Sequence, residues 1–96
     1  MSGGPPIDVP DEFLKFARWL NAETLRLGPQ GMVAEAARGT LTAAERPICR
    51  AFIDEVLRRV SDDQKLHDLL MGSGARLYIE KPAGARYLLT LMRDAL

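Results

Sequence analysis

A chain of 96 residues holds one domain and not two, and at 47% hydrophobic it carries too much apolar material for a disordered tail. Lys plus Arg is 13 and Asp plus Glu is 13, so the chain lacks the basic excess that neutralises phosphates and the acidic excess of a nucleic-acid mimic. One cysteine, Cys49, and one histidine, His67, exclude an intramolecular disulfide and a four-ligand Cys/His zinc site.

Residues 1–10 contain Gly3, Gly4, Pro5, Pro6 and Pro10, and read as a flexible N-terminal arm. Ile7 and Val9 are placed to pin its end to a single helical body over 11–96. The opening residues show neither a basic n-region nor an apolar h-region. No apolar run approaches the ~20 residues of a membrane span. Cytoplasmic residence is the expectation.

The first helix is predicted from Asp11 to Leu27, with Asp11 and Glu12 at the positive end of its dipole. Phe13, Phe16, Ala17, Leu20 and Leu27 share one face, and Gly28-Pro29 reads as its stop. Met32 to Arg38 is a short helical candidate ended by Gly39; its small apolar residues suggest a lid rather than a core element.

Thr42-Ala-Ala-Glu45 is a capping box. Pro47 removes one backbone donor just inside it, so a distorted first turn and regular helix from about Pro47 to Val60 are expected. Ile48, Cys49, Phe52, Ile53, Val56, Leu57 and Val60 line one face. Asp54–Arg58 and Glu55–Arg59 have the spacing of (i, i+4) ion pairs. Ser61-Asp-Asp-Gln64 reads as a second capping box, opening a helix to about Met71 that turns Leu66, Leu69 and Leu70 inward.

Arg76 to Lys81 alternates like a short strand. Ala85, Leu88, Leu89, Met92 and Leu96 follow helical spacing, so an extended segment followed by a helix is favoured over a β-hairpin. The fold class is therefore mainly α: four to five helices, with one short extended segment or hairpin near 76–81. Its expected core is Phe13, Phe16, Leu20, Ile48, Phe52, Val56, Leu66, Leu70 and Leu88.

Candidate chemistry is sparse. Cys49 on an apolar face reads as a small buried hydrophobe rather than a nucleophile, which needs exposure and positive neighbours. His67 stands one turn after Asp63 and reads as an acid-paired surface histidine; the sequence around Ser73 is not G-x-S-x-G. Gly72 and Gly74 follow a helix, whose dipole end there is negative, so they read as a helix stop and not a phosphate loop. Lys81-Pro-Ala-Gly-Ala-Arg86 precedes a helix and is a weak anion-site candidate. A helix-turn-helix reading of Met32 to Val56 fails, because Glu45 takes an apolar position and Pro47 falls in the reading helix. Asp62-Asp63 lacks the ligand series of a calcium loop. No catalytic, cofactor or metal residue is assigned, and no enzyme activity is expected.

Trp19 is the oddity. It lies about 100–120° from the centre of the first helix's apolar stripe, among Lys15, Glu23 and Arg26. Tryptophan and arginine are enriched where proteins bind one another. These four residues are the expected partner-binding surface, for another protein or for a symmetric homodimer. By exclusion, the function reads as a non-catalytic protein–protein interaction module: a small adaptor, regulator or inhibitor of the immunity-protein type seen among small bacterial chains. The alternative is a nucleic-acid-associated regulator that gathers arginines on one face as a dimer, which the zero net charge disfavours.

Overall fold

The computed structural model describes residues 9–21, 26–77 and 79–96. Among them are five helices: α1 (Asp11–Arg18), α2 (Gly28–Thr40), α3 (Glu45–Arg59), α4 (Asp63–Gly72) and α5 (Pro82–Asp94). The fold is a small, mainly α globule. α5 is its hub and packs against α2, α3 and α4, while α1 lies on α2 and α3. None of the described helices is long and apolar enough to cross a membrane. Of the predicted N-terminal arm, only Val9 and Pro10 are described, and Val9 packs against the core.

α1 starts as its sequence requires, with Asp11 and Glu12 in the first turn, but it ends at Arg18 and does not run to Leu27. Trp19 and Leu20 donate their N–H groups three residues back, to Phe16 (3.2 Å) and Ala17 (3.1 Å), which tightens the last turn. The carbonyl of Leu20 then turns outward to accept the N–H of Arg76 at 2.8 Å. A tertiary hydrogen bond thus takes the acceptor that a longer helix would have used. Asn21 and Arg76 make an isolated parallel bridge. The helix predicted over 22–25 lies outside the described residues. Leu27, expected on the apolar face, is 55% exposed in a turn.

Gly28-Pro29 opens a helix instead of closing one. Gly28 takes φ +84°, a conformation that favours glycine, and Pro29 sits in the first turn, where its missing N–H costs nothing. α2 is also longer than predicted and is no lid. Met32, Val33, Ala36 and Ala37 are all buried, because small side chains let helices approach closely.

The first capping box forms as read. Thr42 N–H donates to Glu45 Oε1 (3.0 Å), and Glu45 N–H donates to Thr42 Oγ1 (3.2 Å). Residues 43–44 are a turn, and α3 begins at Glu45, two residues before the predicted start, because Pro47 falls in its first turn, where no intrahelical N–H donor is needed. The face that α3 buries differs from the expected one. Cys49, Ile53 and Val56 are buried, Phe52 is half-buried against Phe13 with ring centroids 5.0 Å apart, and Ile48 is 49% exposed. The apolar residues of α3 span more circumference than α1 and α5 cover. At ~100° per residue, Ile48 falls outside the Cys49–Ile53–Val56 stripe. The other expected core residues, Phe13, Phe16, Leu20, Val56, Leu66, Leu70 and Leu88, are buried in one cluster.

α4 is capped by Asp62 and not by a Ser61–Gln64 box: Asp62 Oδ1 accepts from Gln64 N–H at 2.9 Å. Gly74 follows at φ +99°, with the Arg18 side chain over it, so α4's end and α1's end meet there. Residues 75–77 and 79–81 are irregular and lead directly into α5, so no hairpin forms among the described residues. Pro82 opens α5, whose inner face is Ala85, Leu88, Leu89 and Met92.

Candidate interaction surface

The chemically suggestive residues outside the Trp19 region are bound into structure. Arg86, offered as an anion ligand, donates from Nε to Asp63 Oδ1 (2.6 Å), from Nη2 to the Val60 carbonyl (2.8 Å) and from Nη1 to the Leu57 carbonyl (3.4 Å). It therefore satisfies two carbonyls at the C-terminal end of α3 while holding the first turn of α4. The proposed anion site is not formed, because its guanidinium is already committed. Asp63 is in turn unavailable to His67, whose nearest carboxylate is Asp68, 3.7 Å from Nδ1. Ser73 is buried, with its hydroxyl donating to the Leu69 carbonyl at 2.7 Å. Cys49 is fully buried, and burial, with the negative charge of Glu12, pushes its thiol up to about 12. Among the described residues, no group of three or more His, Cys, Asp or Glu could hold a metal ion.

Several of the charged residues are in ion pairs. Glu55 takes Arg58 and, at 3.0 Å, Arg59; this second pair is as predicted. Asp54 takes Arg93 of α5 at 3.2 Å instead of Arg58, because α5 lies within reach across the helix interface. Arg38 pairs with Glu35.

The Trp19 region combines an exposed aromatic residue with an ion pair. Trp19 is 39% exposed, while Phe13, Phe16 and Leu20 on the same helical segment are fully buried. Its indole lies over Gly39 of α2, where an added Cβ would come 3.6 Å from Cζ2, an ordinary contact. One turn back on α1, Lys15 Nζ donates to Glu45 Oε2 at 2.6 Å. Glu45 thus uses one oxygen to cap α3 and the other to bind α1. The hydrogen bond from Lys15, then that from the Thr42 backbone, holds the Glu45 carboxyl below its ordinary pKa; the bond to Glu45 likewise holds the Lys15 ammonium above its own. Ile48, exposed, stands one turn beyond Glu45 on α3.

Lys15 meets Glu45, Phe13 meets Phe52, and Glu12 acts on Cys49. As numbers fall along α1 they rise along α3, so the two helices run antiparallel. The surface therefore reads in the order Trp19, Lys15, Glu45, Ile48: an apolar side chain, a cation, an anion, an apolar side chain. Exposed Ala51 on α3 and exposed Ala44 just before it add small apolar side chains.

Of the four predicted partner-binding residues, Trp19 and Lys15 lie together on this surface. Glu23 lies outside the described residues. Arg26 is exposed, but its place beside Trp19 depended on a continuous helix through 19–26. That helix ends at Arg18, so the spacing argument for Arg26 no longer applies. Glu45 and Ile48 were missed. Glu45 was read only as a cap, though its second oxygen was a usable signal, and Ile48 was assigned to the core.

The chain was compared with protein-family models, curated proteins and solved structures, and none of them matches it.

Proposed function

We propose that this protein is a non-catalytic protein–protein interaction module, an adaptor, regulator or inhibitor of cytoplasmic residence, that meets its partner on the Trp19 face. The observation that carries the reading is the exposed indole beside a charge pair, with a second exposed aliphatic side chain, Ile48, on the far side of that pair. Burying such apolar area against a partner is favourable by ~25 cal/mol per Å². The charged side chains between them favour partners with the opposite pattern.

The test is co-purification of the tagged full chain from its native cell, identification of the partner by mass spectrometry, and titration of the purified pair. Trp19→Ala should weaken that binding at least ~10-fold, measured on a variant shown to be folded by circular dichroism; its melting temperature should also fall, because most of the side chain is already covered in the unbound chain. A partner bound equally well by the folded variant overturns the reading.

The nucleic-acid alternative has less support. The formal net charge is zero, and Arg38, Arg58, Arg59, Arg86 and Arg93 each have a carboxylate oxygen within 4 Å, which works against phosphate binding. Sub-micromolar affinity for duplex DNA at physiological salt would promote it.

A further inference from the structure

We infer that the partner fitting the Trp19 face is a second copy of this chain, docked about a two-fold axis that passes between Lys15 and Glu45; the inference rests on the interaction reading above. A two-fold interface uses the same patch on both subunits, so the patch must complement itself. With the axis in the plane of the interface and across the row of four side chains, each residue faces its counterpart on the opposite side of the axis. Lys15 then faces Glu45 of the second copy, and Trp19 faces Ile48 of the second copy. Cation meets anion twice, and indole meets aliphatic side chain twice.

The chemistry of the central pair allows this. An ammonium has three donors, and Lys15 spends one on its own Glu45. Its side chain is 49% exposed, and that of Glu45 is 22% exposed, so the pair is accessible from outside. Zero net charge on the chain means that two copies meet without long-range repulsion. Exposed Ala51 on α3, and exposed Ala44 in the turn that precedes it, add small side chains near Ile48 that permit close approach. The patch is narrow compared with the roughly 1,200–2,000 Å² of a stable interface, so self-association is expected to be weak, with a dissociation constant on the order of 10–100 µM.

Sedimentation equilibrium of the full chain between low micromolar and millimolar concentration measures this directly. The wild type should pass from monomer to dimer across that range. Trp19→Ala and Ile48→Asp should each weaken the dimer at least ~10-fold. Lys15→Glu and Glu45→Lys should each be monomeric, because each places two like charges against two like charges. An equimolar mixture of those two variants should dimerise, since every facing pair is again opposite in sign. Glu45→Lys removes a helix cap, so circular dichroism must show both variants folded; if it does not unfold alone, the mixture stands as measured, and if it does, the Lys15→Glu and Ile48→Asp results decide. A wild type that stays monomeric to 1 mM overturns the inference, as does a dimer indifferent to Trp19→Ala, Ile48→Asp and Lys15→Glu. Neither result touches the binding of a different protein at Trp19, which the co-purification experiment decides separately.

Discussion

The rotation of α3 makes opposite predictions for two isoleucines that are both apolar and five residues apart. Ile53 is fully buried, whereas Ile48 is 49% exposed. Ile53→Ala deletes three buried carbons. At ~0.8 kcal/mol each the transfer loss is about 2.4 kcal/mol, and the cavity left behind brings the expected cost to about 2–5 kcal/mol. In a chain of this size each kcal/mol lowers Tm by roughly 4–8 °C, so Ile53→Ala should lose on the order of 10–30 °C. Ile48→Ala removes only about half as much buried area and replaces a β-branched residue with the best helix former. Its cost should stay at about 1 kcal/mol or less. Thermal melts and urea titrations of both variants at low micromolar concentration, below the dissociation constant proposed for self-association, decide the matter. Equal losses at the two positions, or a larger loss at Ile48, would refute the assignment of α3's buried face.

Two further predictions test local features. Cys49 should react with a thiol reagent only through unfolding, because it has no exposed surface and burial pushes its thiol up to about 12. A raised thiol pKa contributes stability that is present below the ordinary value of about 9 and is lost as pH rises toward 12; labelling of the native protein at the denatured rate near neutral pH would contradict this. Gly74→Ala should destabilise by roughly 1–3 kcal/mol, since φ is +99° and the added Cβ would sit 3.0 Å from Arg18 Cγ; an unchanged urea midpoint would show that the α1–α4 junction is looser than described.

What the sequence made legible was local. The Thr42–Glu45 box needs only four residues, and it forms with both reciprocal bonds. The inner face of α5 follows from spacing within one segment. What stayed hidden depends on partners distant in the chain. Nothing near Leu20 announces that its carbonyl will take the N–H of Arg76 and so end α1 early. Gly28-Pro29 carries the same two residues whether it stops one helix or starts another, and the positive φ of Gly28 is a tertiary outcome. Asp54 had a well-spaced partner in Arg58, yet Arg93 on α5 took it.

The same distinction explains why the candidate surface was half legible. Lys15 lies on α1 and Trp19 is the residue that caps its end, so their spacing alone puts them together. Glu45 and Ile48 join them only because α1 packs antiparallel on α3. That packing rests on apolar contacts such as Phe13–Phe52, which have no local signature. The bond itself is solvent-exposed, and exposed ion pairs contribute little to stability. Glu45 already serves as a cap without Lys15, so the pair adds little that the fold lacks. On the interaction reading proposed above, its placement between two exposed apolar side chains is a recognition pattern and not a stabilising device. A double-mutant cycle on Lys15→Ala and Glu45→Gln separates the two accounts: a coupling below about 0.5 kcal/mol in the stability of the monomer, together with a larger coupling in association, is the result a recognition role requires.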